Sequence, residues 1–101
     1  MIGKGNRMTI RVKLIGSLRS LSGKESLELG VEGPRRLREV IKTLVEELPK
    51  LEPSLIDPES KNPKTNLLIL VNGQEMGVLD RFETLIKDGD EVVFVPIVHG
   101  G

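Results

Sequence analysis

The sequence ends on Gly100 and Gly101, so the last group available for chemistry is the α-carboxylate of a residue without a side chain. Because glycine has no Cβ, such an end can enter a channel too narrow for other residues and can adopt backbone angles closed to them. These properties suit chemistry that another protein performs on the carboxylate. We therefore predict that the folded part of the chain presents Gly101 to a partner.

Two other groups of residues could do chemistry, but neither pattern is typical of a catalytic or metal site. His99 is the single histidine and the chain has no cysteine, so a general-base role has no orienting partner. We expect this side chain to be exposed or to contact a partner. Asp88, Asp90 and Glu91 lack the bidentate closing glutamate of a calcium loop, so their spacing favours a solvated turn over a metal site.

The composition limits the classes of function. A chain of 101 residues suffices for one domain with one core, and 15 basic against 15 acidic residues give a formal net charge of zero. With no Trp, no Tyr and two Phe, it lacks the charge and the stacking side chains that nucleic acid binding uses. The absence of Cys excludes disulfides, and residues 1–7 have no apolar run typical of a signal peptide or membrane span. We expect a cytoplasmic protein that binds neither nucleic acid nor membrane directly.

Alternation of apolar and polar residues predicts two strands, over residues 9–15 and 26–31. The residues expected to face the core are Ile10, Val12, Leu14, Leu27, Leu29 and Val31. We predict that the two strands are antiparallel, and the stretch between them is too long for a tight hairpin turn. Residues 1–8 are predicted to be a flexible lead-in.

A helix should follow Gly33, with Pro34 in its first turn, where the missing N–H costs nothing. Apolar residues at steps of three and four form one stripe, made of Leu37, Val40, Ile41, Leu44, Val45 and Leu48. Arginines in the first turn oppose the helix dipole, but the stripe outweighs this small cost. The proline-rich, polar residues 49–66 predict a loop with one helical turn around Leu55 and Ile56, and we favour a surface excursion over a binding loop.

The uninterrupted apolar residues 67–71 predict a strand buried on both faces or in the middle of a sheet. Asn72 and Gly73 predict a turn into a short return strand over residues 74–79. Residues 79–85 should be irregular, with three side chains held in the core, namely Leu79, Phe82 and Leu85. The final strand is predicted over residues 91–95.

The predicted order of strand, strand, helix, strand, short strand, strand gives an α+β fold: a mixed sheet of about five strands covered by one main helix. This is the β-grasp arrangement of ubiquitin-like proteins, here a domain over residues 9–95 with a tail over residues 96–101. The sequence from residue 9 onward resembles the ubiquitin-like sulfur carriers: the molybdopterin synthase small subunit, the thiamine-pathway carrier, the archaeal small modifiers and the ubiquitin-related modifier of tRNA thiolation. The matching residues are Leu18, Arg19, Leu21, Gly23, Val71, Asn72, Gly73, Leu85, Asp88, Gly89, Asp90, Glu91, Val92, Phe94, Pro96, Gly100 and Gly101.

The resemblance implies a carrier protein rather than an enzyme. An E1-like enzyme that uses ATP and magnesium would adenylate the carboxylate of Gly101, and sulfur would then replace AMP to leave a thiocarboxylate. The carrier itself would hold no cofactor stably. A molybdopterin synthase large subunit is the favoured sulfur acceptor, since Leu18, Arg19, Phe94 and Pro96 resemble that branch. His99 before the diglycine instead resembles the tRNA-thiolation modifiers, so tRNA thiolation or attachment to lysine is the alternative; a β-grasp binding module with an incidental diglycine is the third.

Alternation also predicts a partner surface. If Val92 and Phe94 face the helix, Val95 faces outward, as Ile15 does on the first strand. We hypothesise that partners bind Ile15 and Val95 together with the tail residues Ile97, Val98, His99 and Gly100. The alternative is a set of ordinary exposed aliphatic side chains.

Overall fold

The computed structural model describes residues 7–76 and 81–97. Its strands are β1 (Arg7–Leu14), β2 (Ser26–Glu32), β3 (Arg35–Arg36), β4 (Leu67–Val71), β5 (Gln74–Glu75), β6 (Leu85–Ile86) and β7 (Glu91–Pro96). The helices are α1 (Ser17–Ser22), α2 (Leu37–Glu47) and α3 (Glu52–Leu55), with 3-10 turns at Pro49–Leu51 and Arg81–Glu83. Five strands form one sheet in the order β2-β1-β7-β4-β5, and β3 pairs with β6 in a second, two-stranded sheet.

The middle strand of the large sheet is β7, which runs parallel to β1 and antiparallel to β4. One side of this sheet packs against α2. The buried residues of the strands and the helix form a single core cluster, which includes Ile10, Val12, Leu14, Val92, Phe94, Val40, Ile41 and Leu44. The predicted mixed sheet with one main helix is therefore confirmed, as are the predicted inward faces of β1 and β7.

The start of α2 differs from the prediction. Pro34 does not lie in the first helical turn, because Arg35–Arg36 are extended and pair with β6. The helix begins only at Leu37, whose N–H donates to the carbonyl of Thr84 at 2.8 Å. The carboxylate of Glu39 accepts from the N–H of Arg36 at 3.0 Å, so an acidic residue occupies the helix start, as the dipole favours.

The proline-rich stretch of residues 49–66 was predicted to be a surface excursion, and this prediction is wrong for its first part. Leu51 and Leu55 are fully buried and belong to the core, and Pro63 is buried as well. The 3-10 turn and α3 place these two leucines four residues apart, on one side of a short helical segment. Pro49 is the first residue of the 3-10 turn and Pro53 the second residue of α3, positions where a missing N–H breaks no helical hydrogen bond. The segment closes with a bridge between Ile56 and Pro63.

Several boundaries also move. Strand β1 begins at Arg7, and Met8 is buried. The last two residues of the predicted lead-in, residues 1–8, therefore belong to β1. The connection after β1 contains α1, which buries Leu18. Leu85 was expected in the core but is 53% exposed; its neighbour Ile86 is buried instead. The pairing of β6 with β3 decides whether Leu85 or Ile86 faces the core. Leu79, which was also expected in the core, lies outside the described residues.

The expectation for β4 is confirmed in its mid-sheet alternative, since β4 lies between β7 and β5. It occupies residues 67–71, but Leu67 and Ile69 are buried while Leu68 and Leu70 are only half-buried. An uninterrupted apolar run hides this difference because it carries no alternation. The turn after β4 is as predicted, with positive φ angles of 52° at Asn72 and 85° at Gly73.

Candidate functional site: the root of the tail

The tail leaves the domain from the end of β7, in the middle of the sheet. Leu67 of β4 pairs with Pro96, and one further rung follows, in which the N–H of Ile97 donates to the carbonyl of Asn66 at 3.2 Å. We call Pro96 and Ile97 the tail root. Strand β7 has a hydrogen-bonded neighbour on each side, so the tail root continues from a strand in the interior of the sheet.

Apolar side chains surround the tail root on the outer face of the sheet. Ile15 and Ile97 are 40% and 45% exposed, and Val95 is half-buried. The N–H of Ile15 donates to the carbonyl of Phe94 at 3.2 Å, which brings the end of β1 beside Val95. Leu68 is the direct partner of Val95 on β4, and paired residues share a face. These four residues, Ile15, Leu68, Val95 and Ile97, are the apolar patch.

The structure brings together three of the predicted site residues. Ile15, Val95 and Ile97 lie at one end of the sheet. The other predicted residues, Val98, His99, Gly100 and Gly101, lie outside the described part of the chain. From chain dimensions alone, the four residues after Ile97 can carry the last Cα at most about 14 Å from the root. Leu68 was missed because the apolar run around it predicts burial on both faces.

Gly16 lies next to the tail root and sets the direction of the chain there. Its φ of 62° is in the left-handed region, and a Cβ there would meet the Pro96 ring at 3.9 Å. The positive φ turns the chain sharply out of β1 and into α1, whose Arg19 N–H donates to the carbonyl of Gly16 at 3.0 Å. Glycine adopts this angle without the steric cost that other residues carry. The turn thereby leaves Ile15 beside the end of β7.

The acidic turn at the other end of β7 has a structural role. Asp88 accepts from the N–H of Thr9 at 2.8 Å, and Asp90 accepts from the side chain of Asn72 at 3.0 Å and from the N–H of Lys87 at 2.8 Å. Glu91 lies 3.6 Å from the ammonium of Lys13. Within residues 7–76 and 81–97, no group of three or more His, Cys, Asp or Glu side chains could hold a metal ion.

The fold and this end of the sheet define a ubiquitin-like β-grasp domain that presents a tail from its middle strand. The sequence profile of the ThiS family matches residues 12–101, and the chain belongs to that family. Its members are small ubiquitin-like carrier proteins, so the class is that of sulfur carriers and modifiers. Among the helices of the part that the structure describes, none is long and apolar enough to cross a membrane.

Two curated relatives are similar over nearly the whole chain. Ubiquitin-related modifier 1 of Schizosaccharomyces pombe is 32% identical over 97 residues, which cover 93% of this chain and 100% of the relative. Small archaeal modifier protein 3 of Haloferax volcanii is 30% identical over 94 residues, with 93% and 100% covered.

Solved structures share the fold. The solution structure of small archaeal modifier protein 1 from Methanosarcina acetivorans matches with a TM-score of 0.81 at 28% identity and covers 96% of this chain and 100% of its own. The complex of subunits 1 and 2 of the molybdopterin-converting factor from Helicobacter pylori contains a chain that matches with a TM-score of 0.55 at 19% identity, with 93% and 100% covered. At that identity the second likeness shows the fold alone.

Proposed function

We propose that the protein is a sulfur carrier whose Gly101 carboxylate is activated by an E1-like enzyme and converted to a thiocarboxylate. The observation that carries this proposal is the family match through residue 101 on a chain whose tail leaves from the middle of the sheet. Partners would bind the folded domain, and this binding would position the tail. The domain would not supply the reactive groups.

The chemistry follows from the weakness of a carboxylate as an electrophile. One carboxylate oxygen attacks the α-phosphorus of ATP, pyrophosphate leaves, and an acyl adenylate forms on Gly101. A hydrosulfide then attacks the carbonyl carbon, the C–O bond to AMP breaks, and a thiocarboxylate remains. The activating enzyme supplies ATP and magnesium, so the carrier needs no bound cofactor of its own. The sulfur of a thiocarboxylate is anionic near neutral pH and transfers without help from side chains of the carrier.

The apolar patch is the proposed docking surface for the activating enzyme. It surrounds the tail root, and two of its members are 40% and 45% exposed, so a partner that covers Ile15 and Ile97 also receives the tail. Burial of such side chains provides affinity without any contact to the reacting carboxylate. A partner can therefore bind the carrier before and after the chemistry.

For the sulfur acceptor, we propose the modifier branch: tRNA thiolation, attachment to protein lysines, or both. Both curated relatives at 30% identity or more are named as modifiers. His99 before the diglycine, as noted from the sequence, favours the same branch. Transfer to a molybdopterin synthase large subunit is the second candidate, supported by the resemblance of Leu18, Arg19, Phe94 and Pro96 to that branch.

The decisive experiment is intact mass spectrometry after incubation with a cognate E1-like enzyme, ATP, magnesium and sulfide. We expect a mass gain equal to the exchange of one oxygen for one sulfur in the full chain, and no gain in a matched chain lacking Gly101. Absence of both the gain and the adenylate in the full chain would refute the proposal for that enzyme.

A second assay on the thiocarboxylated protein distinguishes the two candidate sulfur acceptors. Sulfur-35 label should pass to tRNA, or the intact protein should become attached to lysines, when the matching acceptor enzymes are added. Label that passes instead to a molybdopterin precursor, and only with a large synthase subunit, would favour the second candidate.

A further inference from the structure

Among the described residues, the pairing of β4 with β5 covers only the last part of β4. On the β5 side, Leu70 and Val71 pair with β5, and the carbonyl of Ile69 accepts from the N–H of Met76 at 3.1 Å. Strand β5 itself ends at Glu75. The carbonyls of Leu67 and Thr65 point to the same side, because carbonyl directions alternate along a strand. Within residues 7–76 and 81–97, no strand lies opposite these two acceptors.

Both carbonyls accept hydrogen bonds from the side chain of Arg81. One terminal nitrogen of its guanidinium, Nη1, donates to the carbonyl of Thr65 at 3.4 Å, and the other, Nη2, donates to the carbonyl of Leu67. A planar guanidinium with several fixed donors is suited to bridging two neighbouring acceptors in this way. The side chain of Arg81 therefore continues the hydrogen-bond pattern of β5 for two more carbonyls.

The guanidinium is itself held in place. It lies over the ring of Phe82 with 5.2 Å to the ring centroid, which adds a cation–π contact. The next residue, Glu83, binds the start of α2: its carboxylate pairs with Arg38 at 2.6 Å, and its carbonyl accepts from Arg36 at 3.3 Å. The turn that carries Arg81 is thus fixed to the main helix.

The residue between the two carbonyls is Asn66, whose own carbonyl points the opposite way and accepts from Ile97 at the tail root. Arg81 thus holds both neighbours of the residue that forms the last rung of β7. We infer that Arg81 is a positioning residue, which fixes residues 65–67 from the far edge of β4 and thereby orders the root of the tail for activation. This inference rests on the function proposed above.

An ordered root lowers the cost of binding, because a partner need not immobilise it. Loss of Arg81 should therefore raise the KM for the carrier and leave kcat unchanged, since Arg81 contacts no reacting atom. It should also speed hydrogen exchange at the Ile97 amide, while the Ile15 amide, which bonds on the β1 side of β7, keeps its rate.

The test compares Arg81→Met, which keeps the apolar stem, with Arg81→Lys, which keeps the charge but not the two-pronged geometry. Lys50→Met is the matched control for charge, because Lys50 is exposed and makes no hydrogen bond or ion pair within the described residues. Solvent-exchange NMR on nitrogen-15 labelled protein should show exchange at Ile97 about tenfold faster in Arg81→Met, the scale of one lost hydrogen bond. Arg81→Lys should show a smaller increase, and it provides the test if Arg81→Met does not fold.

Equal exchange at Ile97 in wild type and both variants would overturn the inference, as would a uniform increase that includes Ile15. A fall in kcat with an unchanged KM would also contradict it. The exchange measurement uses no enzyme, so it decides the role of Arg81 even if wild-type protein is not thiocarboxylated, an outcome that would refute the proposed function separately.

Discussion

Replacing Ile15 tests whether the apolar patch binds the activating enzyme. The side chain is 40% exposed, and burial of a whole isoleucine side chain contributes about 1.5–3 kcal/mol. The fraction still open to a partner is therefore worth roughly 0.6–1.2 kcal/mol. Since about 1.4 kcal/mol corresponds to tenfold in affinity, Ile15→Ala should raise the KM for the carrier by about three- to sevenfold.

Ile15→Asp should have a larger effect, because docking would then bury a carboxylate without a partner. Both variants should fold, since the hydrogen bond from Ile15 to Phe94 uses the backbone and survives the substitution. Leu85→Ala is the matched control: Leu85 is 53% exposed but lies on β6, outside the five-stranded sheet. The assay is adenylation, measured as pyrophosphate release over a range of carrier concentrations.

The outcome for Ile15 is read against that control. A KM for Ile15→Asp within the range of Leu85→Ala would refute the docking surface, whatever the fate of Gly101. Equal increases for Ile15→Ala and Leu85→Ala would show that any exposed aliphatic side chain has this effect, and the apolar patch would lose its special role.

Two further predictions concern stability. Leu55→Ala should lower the free energy of unfolding by about 2–5 kcal/mol, because Leu55 is fully buried. Urea unfolding followed by far-UV circular dichroism measures this change. A loss of stability as small as that of Leu85→Ala would contradict the burial of α3 in the core. The N–H groups of Ser60 and Glu59 hold the pKa of Asp57 below its ordinary value of 3.8. The ionised form therefore stabilises the turn above that value, and the contribution is lost as the pH falls through the lower pKa of the folded state. Carbon-13 NMR titration should show this low pKa, and Asp57→Asn should abolish the acid dependence of the Ser60 amide shift; an Asp57 that titrates at its ordinary value would contradict the turn.

The parts of the fold that the sequence predicts correctly have a local signal. Alternation places Val92 and Phe94 inward, and Asn72 with Gly73 marks the turn, because period and backbone preference act within a few residues. The buried Leu51 and Leu55 lie in helical pieces of three and four residues, too short to show a helical period. The prolines in and around these pieces are also typical of loops, so the local sequence favours a loop.

The rest of the site depends on contacts between distant parts of the chain. The inward direction of Ile86 is set by pairing with β3, and neither two-residue strand has a pattern of its own. Arg81 reaches carbonyls 14 and 16 residues earlier in the chain, which no local pattern predicts. The alternation of β1 and β7 predicts the outward positions of Ile15, just after β1, and of Val95 on β7. Leu68 required the observed register of β4 against β7.

The two ends of β7 have different roles, and this difference explains why the domain needs no catalytic side chain for the proposed chemistry. At its start, the carboxylates of Asp88 and Asp90 are bound to backbone or amide donors that close the turn. At its end, exposed apolar side chains surround the root of the tail. Apolar contacts have little directionality, so the same surface can bind an activating enzyme and later an acceptor. The tail must then be positioned for the chemistry by its root. We therefore expect the Ile97–Asn66 hydrogen bond and Arg81 to affect activation more than any side chain near the carboxylate does.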